Sequence, residues 1–186
     1  MDRKEFLKTC AGGLCACAAA CVMPPAEAAA AEAAKPEDWR VPFVKKRYAK
    51  LLQVLLDKRG EGELTETLHE VGGYCASTFG PALEKYRGDV DGFASYIKTV
   101  GAGDLFSYDR ERNVVIASSE ERTDCICPLN GVAYKTPTVV CNCSMGWHQY
   151  AWQTLLQKKV RVELKESVLR GGKRCRLEIQ VLDEPI

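Results

Sequence analysis

Val139–Leu182 reads VVCNCSMGWHQYAWQTLLQKKVRVELKESVLRGGKRCRLEIQVL, and two periodicities in it decide the fold. Met145, His148, Trp152 and Leu155 recur at helical spacing, with Ser144 as the expected N-cap. The period then changes from about 3.6 to 2. Val160, Val162 and Leu164 alternate with Arg161, Glu163 and Lys165, the pattern of a half-buried strand. Arg170-Gly171-Gly172-Lys173 reads as a turn. Beyond it Cys175, Leu177, Ile179 and Val181 alternate with Arg174, Arg176, Glu178 and Gln180. The stretch is therefore a helix followed by an antiparallel hairpin, with Cys175 on the apolar side of the last strand.

Upstream, Phe43, Tyr48, Leu51, Leu52, Leu55 and Leu56 mark a helix that ends near Gly60. Leu64, Leu68, Val71 and Cys75 mark a second, which stops by Gly80-Pro81. Ala82–Tyr86 reads as a short third, and Asp89 or Asp91 as the cap of a fourth carrying Phe93, Ile97 and Val100. Leu105–Tyr108 and Val114–Ser118, joined by a polar turn, read as a hairpin. Helices first, then strands around one inserted helix, predict an α+β fold: N-terminal helices followed by an antiparallel sheet with one long packed helix.

The 186 residues suit one domain, and a net charge of +1 gives no footprint for nucleic acid. Residues 1–28 read as an export signal. Arg3-Lys4-Glu5-Phe6-Leu7-Lys8 resembles the twin-arginine pattern with Lys4 in place of the second arginine, and Ala26-Glu27-Ala28 is a small-residue cleavage site. Residues 29–40 read as a flexible Ala/Glu-rich linker, and 41–186 as a single ligand-binding domain. The expected location is outside the cytoplasm, in a periplasm or its equivalent. Cys17 and Cys21 keep a lipoprotein open as the alternative, and membrane contact is expected only by that route.

Of ten cysteines, four fall in the leader; Cys75, Cys125, Cys127, Cys141, Cys143 and Cys175 remain. Cys125-x-Cys127 and Cys141-x-Cys143 are separated by 13 residues. Alternate residues of an extended chain face the same way, so two such pairs can present four thiolates to one centre. Zinc is the expected ion. Iron–sulfur ligation is open to the four leader cysteines, but a segment due for removal makes a poor ligand set. Disulfides and inert buried thiols are the competing assignments. Cys143 is placed at the start of a helix, where the dipole favours a thiolate.

On these residues the stretch resembles the 4-vinyl-reductase-type small-molecule-binding domains, relatives of the heme nitric-oxide-binding and Golgi-transport ligand-binding folds. Cys141, Gly146, Glu163, the Gly171-Gly172 turn and Cys175 fall at the family's offsets, and Ser167 stands where the family has its middle cysteine. Glu120, or Glu121, is nearest to the family's acidic zinc ligand. The resemblance implies an apolar ligand cavity with a metal at its mouth. The metal set would be Cys141 and Cys175, completed from Cys125, Cys127 and Cys143. The expected function is binding of a small hydrophobic ligand without chemistry, with a homodimer left open.

Trp147, Tyr150 and Trp152 are the candidate ligand-lining side chains; core packing is their other assignment. Cys143 and His148 are a candidate nucleophile–base pair, with a packed or surface histidine as the other assignment. The Gly turn followed by a cysteine-bearing strand also resembles the ring-opening hydrolases of thiazoline carboxylic acids, which implies a cysteine-dependent amidohydrolase as the enzyme alternative. Cycling of Cys125/Cys127 or Cys141/Cys143 would make it a thiol redox protein.

Overall fold

Apolar residues at helical spacing become the first elements of the computed structural model, which describes residues 38–100, 105–125, 127, 130 and 136–186. The expected export signal, most of the linker, and the glycines after the fourth helix lie outside these residues. Helix α1 spans Arg40–Ser77 and is broken at Gly60, whose φ of 82° only glycine adopts freely. Tyr48, Leu52, Leu55 and Leu56 before the break share one apolar cluster with Leu64 and Leu68 after it. The two expected helices are thus one helical unit interrupted where the sequence placed the stop. Helix α2 (Gly80–Lys85) and helix α3 (Val90–Thr99) follow. The Asp89 side chain accepts from the Gly92 amide, which makes Asp89 the N-cap of α3.

Strands β1 (Leu105–Asp109) and β2 (Val114–Ser118) form the first hairpin, with Leu105 opposite Ser118. A short 3₁₀ turn, Thr138–Val140, leads into helix α4 (Cys141–Leu156). Ser144 is therefore not the cap: the helix starts three residues earlier, and Val140 precedes it with no side-chain cap. The 3₁₀ turn already supplies helical dihedrals, so α4 begins without a capping side chain. Gln157, with φ of 55°, ends α4 in a left-handed turn straight into β3 (Lys158–Glu166). Strand β4 (Arg176–Pro185) returns along it.

The fold is α+β. Its single described sheet has the order β1-β2-β4-β3, all antiparallel, so the last strand lies at the centre. That order explains why Leu177, Ile179 and Val181 are all buried. The opposite face carries charge: Glu163 lies directly across from Glu178, and Lys165 bridges both, offsetting the repulsion. Helix α4 packs on both sides. Ala151, Trp152 and Leu155 join α3 and the sheet in the main core, while Cys143, with Val140 of the preceding 3₁₀ turn, joins α1 in the second. Two glycines let α1 and α4 touch. A Cβ on Gly72 would sit 1.9 Å from the Cys143 carbonyl, and one on Gly146 would sit 2.1 Å from the His69 carbonyl. Asn142, buried, donates to Thr65 Oγ1 at 3.1 Å across the same contact. Among the described residues, no helix is long and apolar enough to cross a membrane.

Candidate functional site

The start of α4 decides what the cysteines can do. Cys141 and Cys143 lie inside the helix, not in extended chain before it. Two residues along a helix turn about 200°, so these side chains diverge. The expected convergence of both Cys-x-Cys pairs on one centre therefore fails at Cys141-x-Cys143, and the thiols separate into two neighbourhoods.

One neighbourhood lies where the sheet meets the first turn of α4. Cys141 Sγ is 3.2 Å from Ser167 Oγ, a hydrogen bond between residues 26 apart in sequence. Ser119, buried after β2, fixes the entry to β4. Its amide donates to the Cys175 carbonyl at 2.9 Å, and its hydroxyl accepts from the Cys175 amide at 3.0 Å. Cys125 completes the group. Burial pushes its thiol pKa up, the Cys127 amide donating to its sulfur pulls it down, and the sulfurs of Cys175 and Cys141 push it up again. Cys125, Cys141, Cys175 and Ser167 are thus brought to one region. Ser119 carried no signal in the sequence, because a single serine after a strand has no period to break.

Cys143 belongs to the other neighbourhood, toward α1. Burial first, then the sulfurs of Cys127 and Cys75, push its pKa up to about 11. Burial first, then the sulfurs of Cys143 and Cys127, push the Tyr48 hydroxyl pKa up. At Cys143 burial thus acts against the thiolate that the helix N-terminus favours. Glu121, one of the two candidate acidic ligands, is ion-paired with Arg174, and Glu120 is exposed.

The donor chemistry at Cys125, Cys141 and Cys175 suits zinc, which prefers thiolates. Among the described residues, no group of three His, Cys, Asp or Glu side chains is placed to hold a metal ion. No disulfide joins the six cysteines.

The aromatic candidates do not share a wall. Trp152 is fully buried, edge-on to Phe106 at 5.2 Å and to Phe93 at 5.8 Å. Trp147 is half-buried against Phe79 and His148. Tyr150 is 40% exposed, on the side of α4 nearest Gly73. The sequence did not single out Phe93 and Phe106, which stack at 6.1 Å and join the sheet to α3 around Trp152.

His148 is buried, and its Nδ1 accepts from Trp152 Nε1 at 3.2 Å. It lies five residues from Cys143, about 140° round the helix, so the two do not face each other as nucleophile and base. With no charged partner, burial lowers its pKa from 6.5 to about 4. The unfolded chain takes up this proton as pH falls through 6.5, while the folded chain resists until about 4. His148 therefore lowers stability on acidification, by about 1.4 kcal/mol per pH unit inside that window. Urea titrations at pH 7 and pH 5 should show the loss, and His148→Gln should reduce it.

No family model matches the chain. No curated protein matches it. Solved structures do. One is a trafficking protein particle complex subunit 3 from Naegleria fowleri covalently bound to palmitic acid, at 15% identity. The match covers 79% of this chain and 98% of that one, with a TM-score of 0.53. Another is the phenol-responsive sensory domain of the transcription activator PoxR with phenol, at 17% identity, 74% of each chain and a TM-score of 0.50. At these identities the likeness is one of fold.

Proposed function

We propose that this chain binds a small, largely apolar molecule, and that α3, α4 and the sheet form the binding body. The observation that carries this is the fold shared with one structure covalently bound to palmitic acid and another with phenol. Supporting it, Phe93 and Phe106 gather around Trp152 between the helices and the sheet. Aromatic walls with few polar groups suit such ligands. The 4-vinyl-reductase-type resemblance in the α4–β4 stretch points the same way.

Native mass spectrometry of protein from its own host tests the proposal, together with tryptophan-fluorescence titrations using phenol and palmitate. A retained small molecule, or saturable quenching by either probe, is the expected result. No retained molecule and no saturable response to either would overturn it.

Zinc is proposed as a structural ion at Cys125, Cys141 and Cys175, with the Ser167 hydroxyl beside Cys141. Bound there, it would cross-link α4, the start of β4 and the segment after β2. This rests on donor type and on the Cys141–Ser167 approach. Ser167→Cys is expected to raise zinc affinity by about 10-fold or more, since thiolate is a far better ligand than hydroxyl. Competition against a chromogenic chelator under anaerobic conditions reads this directly; equal affinity in both proteins would remove the site. Export is proposed on the leader alone, and sequencing the mature N-terminus from the host would show whether cleavage follows Ala28.

A further inference from the structure

Beyond β2 the chain keeps running beside the start of β4. The Arg122 amide donates to the Lys173 carbonyl at 2.9 Å, extending the pairing that Ser119 and Cys175 begin. A cleft of about 560 Å³ opens there, with residues 121–123 on one wall and Val168 and the Gly171–Lys173 turn on the other. Gly171 takes φ of 90°, and a Cβ on Gly172 would meet the Glu166 side chain at 2.6 Å, so this turn needs both glycines.

The charges around the cleft do not cancel. The Glu121 carboxylate is taken by Arg174. Glu166 Oε1 accepts from the amides of Lys173 at 2.7 Å and Arg174 at 3.3 Å. Among the described residues, neither Arg122 nor Lys173 has an ion-pair partner. Arg122 Nε is shut off from solvent and, among the described residues, has no hydrogen-bond acceptor. With Nε closed off, an anion entering the cleft would be met by the outer nitrogens of the same guanidinium.

We propose that this cleft binds a small oxyanion, a carboxylate or phosphate group, held by the Arg122 guanidinium and the Lys173 ammonium. The planar fork of arginine suits either group, and the lysine adds a mobile second charge at the rim. The cleft is open to solvent and flanked by the charged side chains of Arg122 and Lys173, apart from the aromatic core, so the proposal stands whether or not the chain binds an apolar ligand.

Arginine Nε–Hε NMR of the full chain tests it, with acetate and inorganic phosphate titrated separately at fixed ionic strength. The Arg122 resonance is assigned by its loss in Arg122→Lys. It should shift saturably with at least one of the two anions while the exposed Arg59 and Arg87 move little. Which anion saturates it identifies the preferred group. Lys173→Gln, a change at an exposed position, should weaken binding several-fold with the fold intact. An Arg122 resonance that moves no more than the exposed ones with both anions would overturn the proposal. So would wild-type saturation in Lys173→Gln.

Discussion

Gly146→Ala is expected to destabilise the protein by about 3 kcal/mol, although alanine is the better helix former by about 1 kcal/mol. The added methyl would lie 2.1 Å from the His69 carbonyl oxygen and 2.6 Å from the His69 Cα. Both are backbone atoms of α1 and cannot swing aside. Helices α1 and α4 would have to part, loosening dispersion contacts along the crossing and the Asn142–Thr65 hydrogen bond. Gly72→Ala should behave alike, because its methyl would lie 1.9 Å from the Cys143 carbonyl and 2.7 Å from the Trp147 amide. Gly62→Ala is the control: it is in the same helix with nothing within 4 Å, and should be neutral or stabilising. Thermal melts followed by circular dichroism should show a drop of about 10 °C for Gly146→Ala. A melt equal to that of Gly62→Ala would mean that the helices do not touch at these glycines.

Trp152→Ala should cost about 4 kcal/mol, near the upper range for removing a buried ring. The ring is fully buried between Phe93 and Phe106, and its Nε1 is the donor that satisfies His148. Trp152→Phe separates the two contributions: it keeps an aromatic in the gap but leaves buried Nδ1 without a donor. A cost of about 2 kcal/mol is expected for it. Urea denaturation of both variants reads the difference. If Trp152→Phe matches the wild type while Trp152→Ala does not, the ring matters only as volume. Trp152→Ala also probes the ligand proposal, since opening this aromatic cluster should alter the response to phenol.

The helices, both hairpins and the α+β class were legible because each rests on a local period. The break at Gly60 and the turn at Gly171-Gly172 were legible because those residue types satisfy specific backbone demands, and so was an aspartate cap on α3, though the choice of Asp89 over Asp91 came from the structure. The start of α4 was not. Ser144 has the chemistry of a cap, yet the preceding 3₁₀ turn starts the helix at Cys141. Those three residues carried the site with them, because a Cys-x-Cys that aligns in a strand diverges in a helix. Ser167, noted in the sequence only as a missing cysteine, lies against Cys141 by tertiary contact.

The sequence alone settled which segments are helix or strand and their order along the chain, since hydrophobic period and turn chemistry act within a few residues. It also placed five of the six cysteines beyond the leader in the half of the chain that carries the sheet, Cys75 being the exception. Only the tertiary structure decided that β4 lies at the sheet's centre, that two glycines bring α1 and α4 into contact, and that Cys141 and Cys143 face different neighbours. Those outcomes depend on pairings between residues tens of positions apart, and on whether a short segment is helical or extended. Neither has a periodic signature in the chain itself.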